Sequence, residues 1–522
     1  MSTDAHRDPD AGAPLSLTGA ALPVDDVVAV ARRHAPVRLD AAAAQRLAER
    51  RGEIEGHVAE GRTVYGITTG LGALATVRVA ADEIDELQLN LLRSHAAGVG
   101  EPLPAEVVRA MMLLRARTLA AGASGVRPQV AEALVAFLNA GLCPVVPSRG
   151  SVGASGDLAP LAHIGLALAG EGRVDDGAGP RPAAGALAAA GLAPLRPAAK
   201  EGLALINGTE GMLALAALAW HDARALLSAA DVAAAMTTEA GFGTDRPFAA
   251  DLQQLRGHPG QVDAAANLRG LLAGSAIVAG HRDSNHAVQD PYSVRCAPQV
   301  HGTARDAHTA SGQLLATELG AVTDNPVVLP DGRVESTGNF HGEPLGLAIA
   351  QLGIGLASLA SISERRTLWL ISPESARELP AFLAERPGLQ SGMMLAQYTQ
   401  AALVAEAKQL AQPAVLDSIP TSGMQEDHVS MAWHGGLRLR ELVDKVAYVI
   451  GIEAACAARA LDLRAPLAPA PGTGAAHAAL REVVPAMSGD RVLAPDLEAA
   501  AGLVRTGGLT ARAADAIEGG LR

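Results

Sequence analysis

Ser155 stands between Ala154 and Gly156 in the run PSRGSVGASGDLAPLAHIG, residues 147–165. A serine among such small neighbours admits three chemistries: a turn residue, a nucleophile, or raw material for a prosthetic group made from the backbone. The third needs the amide nitrogen of Gly156 to attack the carbonyl carbon of Ala154. That demands a tight, strained backbone with no side chain in the way, which glycine allows and alanine nearly does. Loss of water, including the Ser155 hydroxyl, then leaves a methylidene-imidazolone ring, an electrophile that no unmodified side chain offers. Taken alone, glycine, serine and alanine together are more often only a loop. A serine-hydrolase elbow needs G-x-S-x-G, and Gly153-Ala154-Ser155-Gly156-Asp157 breaks its last position. No base and orienting partner for Ser155 are identifiable from the sequence either.

Other polar clusters carry further candidates. The loop TVYGITTGLGALA, residues 63–75, interrupts a helical pattern and holds Tyr65. Its Gly70-Leu71-Gly72 lacks the strand–turn–helix context of a dinucleotide fingerprint. KEGLALINGTEG (200–211) offers Asn207, and VQDPYSVRCAPQ (288–299) offers Gln289, Tyr292 and Arg295. STGNFHGEP (336–344) holds Phe340, TSGMQEDHVSM (421–431) holds Glu426, and SHAAG (94–98) holds His95. Each by itself reads more simply as a helix cap or surface patch. By the same standard His95 is a core histidine and Glu426 a helix-surface glutamate. Their joint presence with Ala-Ser-Gly makes that bland reading insufficient.

The elements that position these groups read as helices. Of the 522 residues 49% are hydrophobic and only 2% aromatic, so the core is built from Ala, Leu, Val and Ile, and abundant alanine favours closely packed helices. A net charge of −13 and the lack of a basic stripe argue against nucleic acid. Cys143, Cys296 and Cys456 are far apart and no zinc or H-E-x-x-H spacing occurs, so reduced thiols and no metal are expected. The polar start, MSTDAHRDPDAGAP, reads as a disordered tail over residues 1–14 and not as a signal peptide. LGLAIAQLGIGLASLASI, residues 345–362, approaches membrane-spanning length, but its Gln351, Ser358 and Ser361 favour a buried bundle helix.

Apolar periodicity predicts helices over residues 24–33, 41–61, 83–94, 107–122 and 128–140. Residues 170–199, rich in Gly, Ala and Pro, read as a peripheral insertion and domain margin, with Asp175-Asp176-Gly177 turning between short strands. Longer helical windows follow at 211–240, 311–321, 345–366, 391–412 and 428–463, with weaker helices after Pro466 ending near Gly519. The expected architecture is mainly α, a long helical bundle over 210–522 with a smaller N-terminal domain, 15–209, carrying the Ala-Ser-Gly triad.

In linear order GASGDLAPLAH, KEGLALINGT, QDPYSVRC, DNPVVL, GNFHGEP, AQYTQAAL and QEDHVSM resemble the aromatic amino-acid ammonia-lyase family over nearly the whole chain, and within it the branch acting on histidine. The resemblance implies that Ala154, Ser155 and Gly156 cyclise to methylidene-imidazolone, with no external cofactor. It implies Tyr65 as the base that takes the β-proton as phenolate, against a free pKa of about 10. Arg295 matches the clamp on the substrate carboxylate, where a planar guanidinium suits better than lysine. Asn207 and Tyr292 match residues that hydrogen-bond around the ring, Gln289 lines the pocket, and Phe340 packs beside it. His95 and Glu426 face the substrate side chain. The implied reaction is L-histidine to trans-urocanate and ammonia, in a cytoplasmic homotetramer whose sites draw on more than one chain, with no nucleic acid or membrane partner.

Three other readings compete. The same electrophile serves phenylalanine or tyrosine ammonia-lyases and aminomutases, against which Glu426 and His95 argue. A non-catalytic helical scaffold is the second, against which Tyr65, Ser155 and Arg295 argue. The serine hydrolase is the third. Departures from the family pattern are Leu71, where many relatives have Phe, and Met424, where many bacterial relatives have Asn. His301 and the 283–286 segment are also unusual.

Overall fold

The computed structural model describes residues 13–62, 67–70, 77–284, 287–375 and 377–522. Tyr65, Leu71 and most of the expected N-terminal tail lie outside the described residues. The chain forms two compact units. The first comprises Met1–Leu218, Gln313–Ile349 and Pro413–Leu437, and the second Ala219–Gly312, Ala350–Gln412 and Arg438–Arg522. The division falls inside four long helices, Glu210–Ala240, Ala297–Glu318, Glu343–Ile371 and Ala432–Arg464.

In the first unit the helix Ala105–Ala120 is the axis, buried along almost all its length. It packs on Val24–Arg33 and Pro128–Asn139. Three arginines on it are buried and bonded from within, although Arg115 Nε and Nη2 make no hydrogen bond. Arg109 donates to the carbonyls of Val30 and Leu138, Arg117 to those of Ala20, Gly320 and Ala321, and Arg115 to the Glu210 carboxylate at 2.9 Å. A buried guanidinium must be met in this way, because removing one partner of such a pair costs about 3–5 kcal/mol. Strands are short: Arg173–Asp175 pairs antiparallel with Arg181–Pro182 across the expected turn, and with Cys143–Pro144 on its other side.

In the second unit small residues set the helix spacing. A Cβ on Gly355 would lie 3.2 Å from the Ala304 backbone, and one on Gly451 would lie 2.7 Å from the Ala501 nitrogen. An alanine- and glycine-rich core with few aromatics packs through such close approaches. The helix Glu343–Ile371 is, among the described residues, the one long and apolar enough to cross a membrane, and 72% of its apolar window is buried, as a core helix is.

Two predicted boundaries are corrected. The helix expected over 311–321 runs from Ala297 to Glu318, since polar His301, Arg305 and Asp306 obscure its apolar period. The helix expected from His428 begins at Ala432, because residues 421–431 turn through positive φ at Ser422, Gly423, Met424 and Met431. Glu426 therefore stands in a loop and not on a helix surface.

Candidate active site

The Ala154-Ser155-Gly156 triad sits immediately before the helix Leu158–Leu168. Ala154 and Gly156 face one another in an isolated antiparallel bridge, and Gly156 pairs in parallel with Gly208. Gly156 has φ +73°, and a Cβ built there would overlap the Gly208 backbone. Both facts require glycine. Together they fold the chain back on itself at Gly156.

This loop is tied down on every side. Ser151 Oγ donates to Asp157 Oδ1 at 2.8 Å, and the Met212 amide donates to Asp157 Oδ2 at 2.8 Å. The Asp157 amide donates to the Gly208 carbonyl at 2.7 Å. Ser430 Oγ donates to the Gly153 carbonyl at 2.9 Å, the Met431 amide to the Val152 carbonyl at 2.8 Å, and Trp433 Nε1 to the Ser148 carbonyl at 2.9 Å. Burial pushes the Asp157 carboxyl up to about 7, opposed by the Met212 and Ser151 donors. This fully buried carboxyl at the root of the triad is a group that the sequence left unassigned. Its only sequence signal was its place in GASGD.

Three of the expected residues converge on the triad within this unit. Ser155 Oγ donates to Glu426 Oε1 at 2.9 Å, and Thr421 Oγ1 donates to the other carboxylate oxygen at 2.5 Å. His95 closes the helix Ile84–His95. Its Nδ1 lies 3.0 Å from the Leu91 carbonyl, which fixes that nitrogen as the donor. Burial lowers its pKa, more than the Leu91 carbonyl and the nearby Glu426 charge raise it. The imidazole is therefore neutral at pH 7. Asn207 ends the short helix Glu201–Ile206 just before Gly208; its Nδ2 donates to the Asn325 carbonyl at 3.0 Å. Its Oδ1 is buried without a hydrogen-bond partner.

Below Asn207 lies a buried ionic cluster. Arg115 donates to the Asn207 carbonyl at 3.0 Å and to Glu210, and Lys200 Nζ meets Asp324 at 3.0 Å. KEGLALINGT and DNPVVL thus carry the charged floor that fixes Asn207 and Gly208. Phe340 is half-buried in the segment before the helix Glu343–Ile371. A Cβ on Gly342, two residues on, would run into Met212 and Ser430, the same side chains that a Cβ on Gly153 would meet. The Phe340 segment and the triad loop thus share neighbours.

The other three expected residues gather in the second unit. Gln289, Tyr292 and Arg295 line one open cavity of about 520 Å³ with Asp290, Trp369 and Arg377. Asp290 is committed to Arg377 at 3.0 Å and to the Thr244 amide at 2.7 Å. Arg295 lies 4.7 Å over the Tyr292 ring, its Nε is buried without a hydrogen-bond partner, and among the described residues no carboxylate forms an ion pair with it, although Glu374 lines the same cavity. Such an arginine beside an open cavity suits an incoming anion. Tyr292 is 71% exposed. His301 is part of a separate buried network, 2.6 Å from Asp231 and 3.1 Å from Arg366.

The family model described as aromatic amino acid lyase matches residues 22–482. The chain belongs to that family. This lyase is 50% identical to the histidine ammonia-lyase of Streptomyces coelicolor over 502 residues, which cover 95% of this chain and 97% of that protein. It is 51% identical to the histidine ammonia-lyase of Deinococcus radiodurans, over 95% of this chain and 94% of that one. Among solved structures, histidine ammonia-lyase from Trypanosoma cruzi superposes with a TM-score of 0.89 at 39% identity, covering 97% and 96% of the two chains. Tyrosine aminomutase from Streptomyces globisporus superposes at 0.91 with 34% identity, covering 98% and 100%. The fold is the helical one of these lyases and aminomutases, and the chain is a carbon–nitrogen lyase.

The residues present fit the methylidene-imidazolone used in this family. The folded-back glycine at 156, the space that excludes any Cβ there, and the orphaned Asn207 Oδ1 beside it are what ring closure and a buried ring would require.

Proposed function

We propose that this lyase removes ammonia from L-histidine without oxidation, giving trans-urocanate. The observation that carries the reading is the meeting of Ser155 with Glu426, with a neutral His95 close enough to sense the Glu426 charge. Imidazole is polar at both nitrogens. A carboxylate that accepts from one and a histidine beside it suit that ring. A hydrocarbon ring would leave the Oε1 side of that carboxylate, which Thr421 does not reach, without a partner once the Ser155 hydroxyl is lost, at about 1–3 kcal/mol. The near-full-length relatives at about 50% identity named histidine ammonia-lyase support the same substrate.

The prosthetic group formed from Ala154, Ser155 and Gly156 supplies the electrophile that makes the substrate's amine leave. The chain's own residues do the rest. Tyr65, as phenolate, takes the β-proton. Arg295 holds the carboxylate, and so places the β-carbon. Asn207 and Tyr292 donate and accept around the reacting amine, Gln289 and Phe340 shape the pocket, and Glu426 and His95 orient the imidazole. We propose a cytoplasmic homotetramer as the working form, with active sites drawing on more than one chain.

The structural likeness to tyrosine aminomutase keeps a second reading in view: an aromatic substrate whose amine returns at the β-carbon. One experiment separates them. Each of L-histidine, L-phenylalanine and L-tyrosine is supplied alone, and urocanate, cinnamate and coumarate absorbance is followed together with β-amino-acid formation. The expected kcat/KM favours histidine by several orders of magnitude, as sites built to hydrogen-bond a substrate's polar group do. Equal or greater kcat/KM on phenylalanine or tyrosine, or a β-amino-acid product, would overturn the histidine assignment.

A further inference from the structure

His341, Glu343 and His428 bring one potential ligand atom each within 4.8 Å of one another. We infer that they form a binding site for a divalent transition-metal ion of the zinc type, tying the segment that carries Phe340 to the loop that carries Glu426. The inference does not rest on the histidine reading. No sequence spacing announced the site, because His428 comes from 85 residues beyond Glu343 in the chain. The fold brings them together in the first unit.

The donor set is two imidazoles and a carboxylate, which suits zinc-type ions and not magnesium or calcium. The imidazole of His341 is held from the backbone. Its Nε2 lies 3.1 Å from the His428 carbonyl, and its Nδ1 accepts a hydrogen bond from the Glu343 amide at 3.3 Å. With Nε2 donating to a carbonyl, Nδ1 is the nitrogen that carries the lone pair, the usual arrangement behind a metal-bound histidine, and an ion binding there takes the place of the Glu343 amide. The His341 and His428 rings lie parallel, 1° apart in plane, with centroids 5.7 Å apart. Glu343 Oε2 is screened from solvent and accepts no hydrogen bond; His428 Nε2 stands 4.0 Å from it. The positive charge of an ion would satisfy that oxygen. His428 and Glu343 remain partly exposed, so solvent supplies an entry path and a water as fourth ligand.

The consequence is local. Phe340 adjoins His341 and Glu426 lies two residues before His428, so an ion at this site holds both loops in one arrangement. The test uses untagged, chelator-stripped protein with no histidine present, since free histidine competes for metal. Zn²⁺ alone is titrated by calorimetry and by equilibrium dialysis, and Co²⁺ by its visible absorbance. The expected result is one ion per chain, tetrahedral cobalt bands, and a melting temperature that rises with Zn²⁺ concentration. Mg²⁺ is expected to do neither. His428→Ala, His341→Ala and the conservative Glu343→Gln should each weaken Zn²⁺ binding by roughly tenfold or more, with circular dichroism unchanged. Absence of saturable binding in the unmodified protein would overturn the proposal. So would zinc binding that persists in both His341→Ala and His428→Ala but disappears when the cysteines are alkylated.

Discussion

Replacing Gly156 by alanine tests the backbone argument more sharply than removing the Ser155 hydroxyl does. Gly156 sits at φ +73°, a conformation that costs an L-residue roughly 1–2 kcal/mol. The new methyl would also meet the Gly208 carbonyl and nitrogen, and overpacking of this kind costs about 1–3 kcal/mol. Asp157, whose amide is bonded to that same carbonyl, holds Gly208 in place, so the strain cannot be relieved by a small shift of one partner. Together the conformation that presents the Gly156 amide to the Ala154 carbonyl rises by about 2–5 kcal/mol, which is roughly 30-fold to several thousandfold in population. Ring closure should slow by that factor while helicity is kept. The assay is intact-protein mass over a time course after purification, beside turnover. The unmodified protein is expected at the sequence mass less two waters, with Gly156→Ala and Ser155→Ala at higher mass and inactive. Complete two-water loss and normal activity in Gly156→Ala would refute the reasoning that a Cβ cannot be accommodated here.

Other expectations follow from the same geometry. Glu426→Gln should lower kcat/KM for histidine strongly, and Glu426→Ala combined with His95→Leu should move relative preference toward aromatic substrates; unchanged ratios in the three-substrate assay would remove both residues from the specificity pocket. Tyr65→Phe should cut kcat with little change in KM, whereas Arg295→Lys should raise KM and also lower kcat, since a single ammonium cannot orient a carboxylate as a guanidinium does; steady-state kinetics reads both. The pH dependence of stability should bear the mark of His308, which stacks on Trp220 at 4.4 Å and is pushed down to about 4 by burial. Its folded-state pKa lies below the unfolded value of 6.5, so the stability it contributes is present above pH 6.5 and lost as pH falls toward 4, up to about 3 kcal/mol. His308→Gln should flatten that acid limb in denaturant titrations at pH 7, 5.5 and 4, and an unchanged limb would remove the histidine as its cause.

The sequence by itself determined the class of the chemistry and most of the helices. Ala-Ser-Gly, the helical periods at 24–33 and 128–140, and the hairpin at Asp175-Asp176-Gly177 are local matters, written in neighbouring residues and therefore legible. The family motifs named the candidates because each is a short contiguous string. What only the tertiary structure decided is which of those strings meet. Ser155 reaches Glu426 across 271 positions, and no period or spacing encodes that pairing. The apolar period suggests a helix from His428, yet the chain turns through positive φ up to Met431, and the Glu426 carboxylate is held by Thr421 and Ser155 in a turn that local propensity does not specify. Asp157 offered no sign in the sequence of a pKa near 7, since that shift comes from burial, a property of the packed chain and not of the residue. The same holds for the His341–Glu343–His428 cluster. Local sequence sets the backbone each side chain starts from, but the dielectric around it and the partners within reach are set by segments hundreds of residues away, and these decide its chemistry.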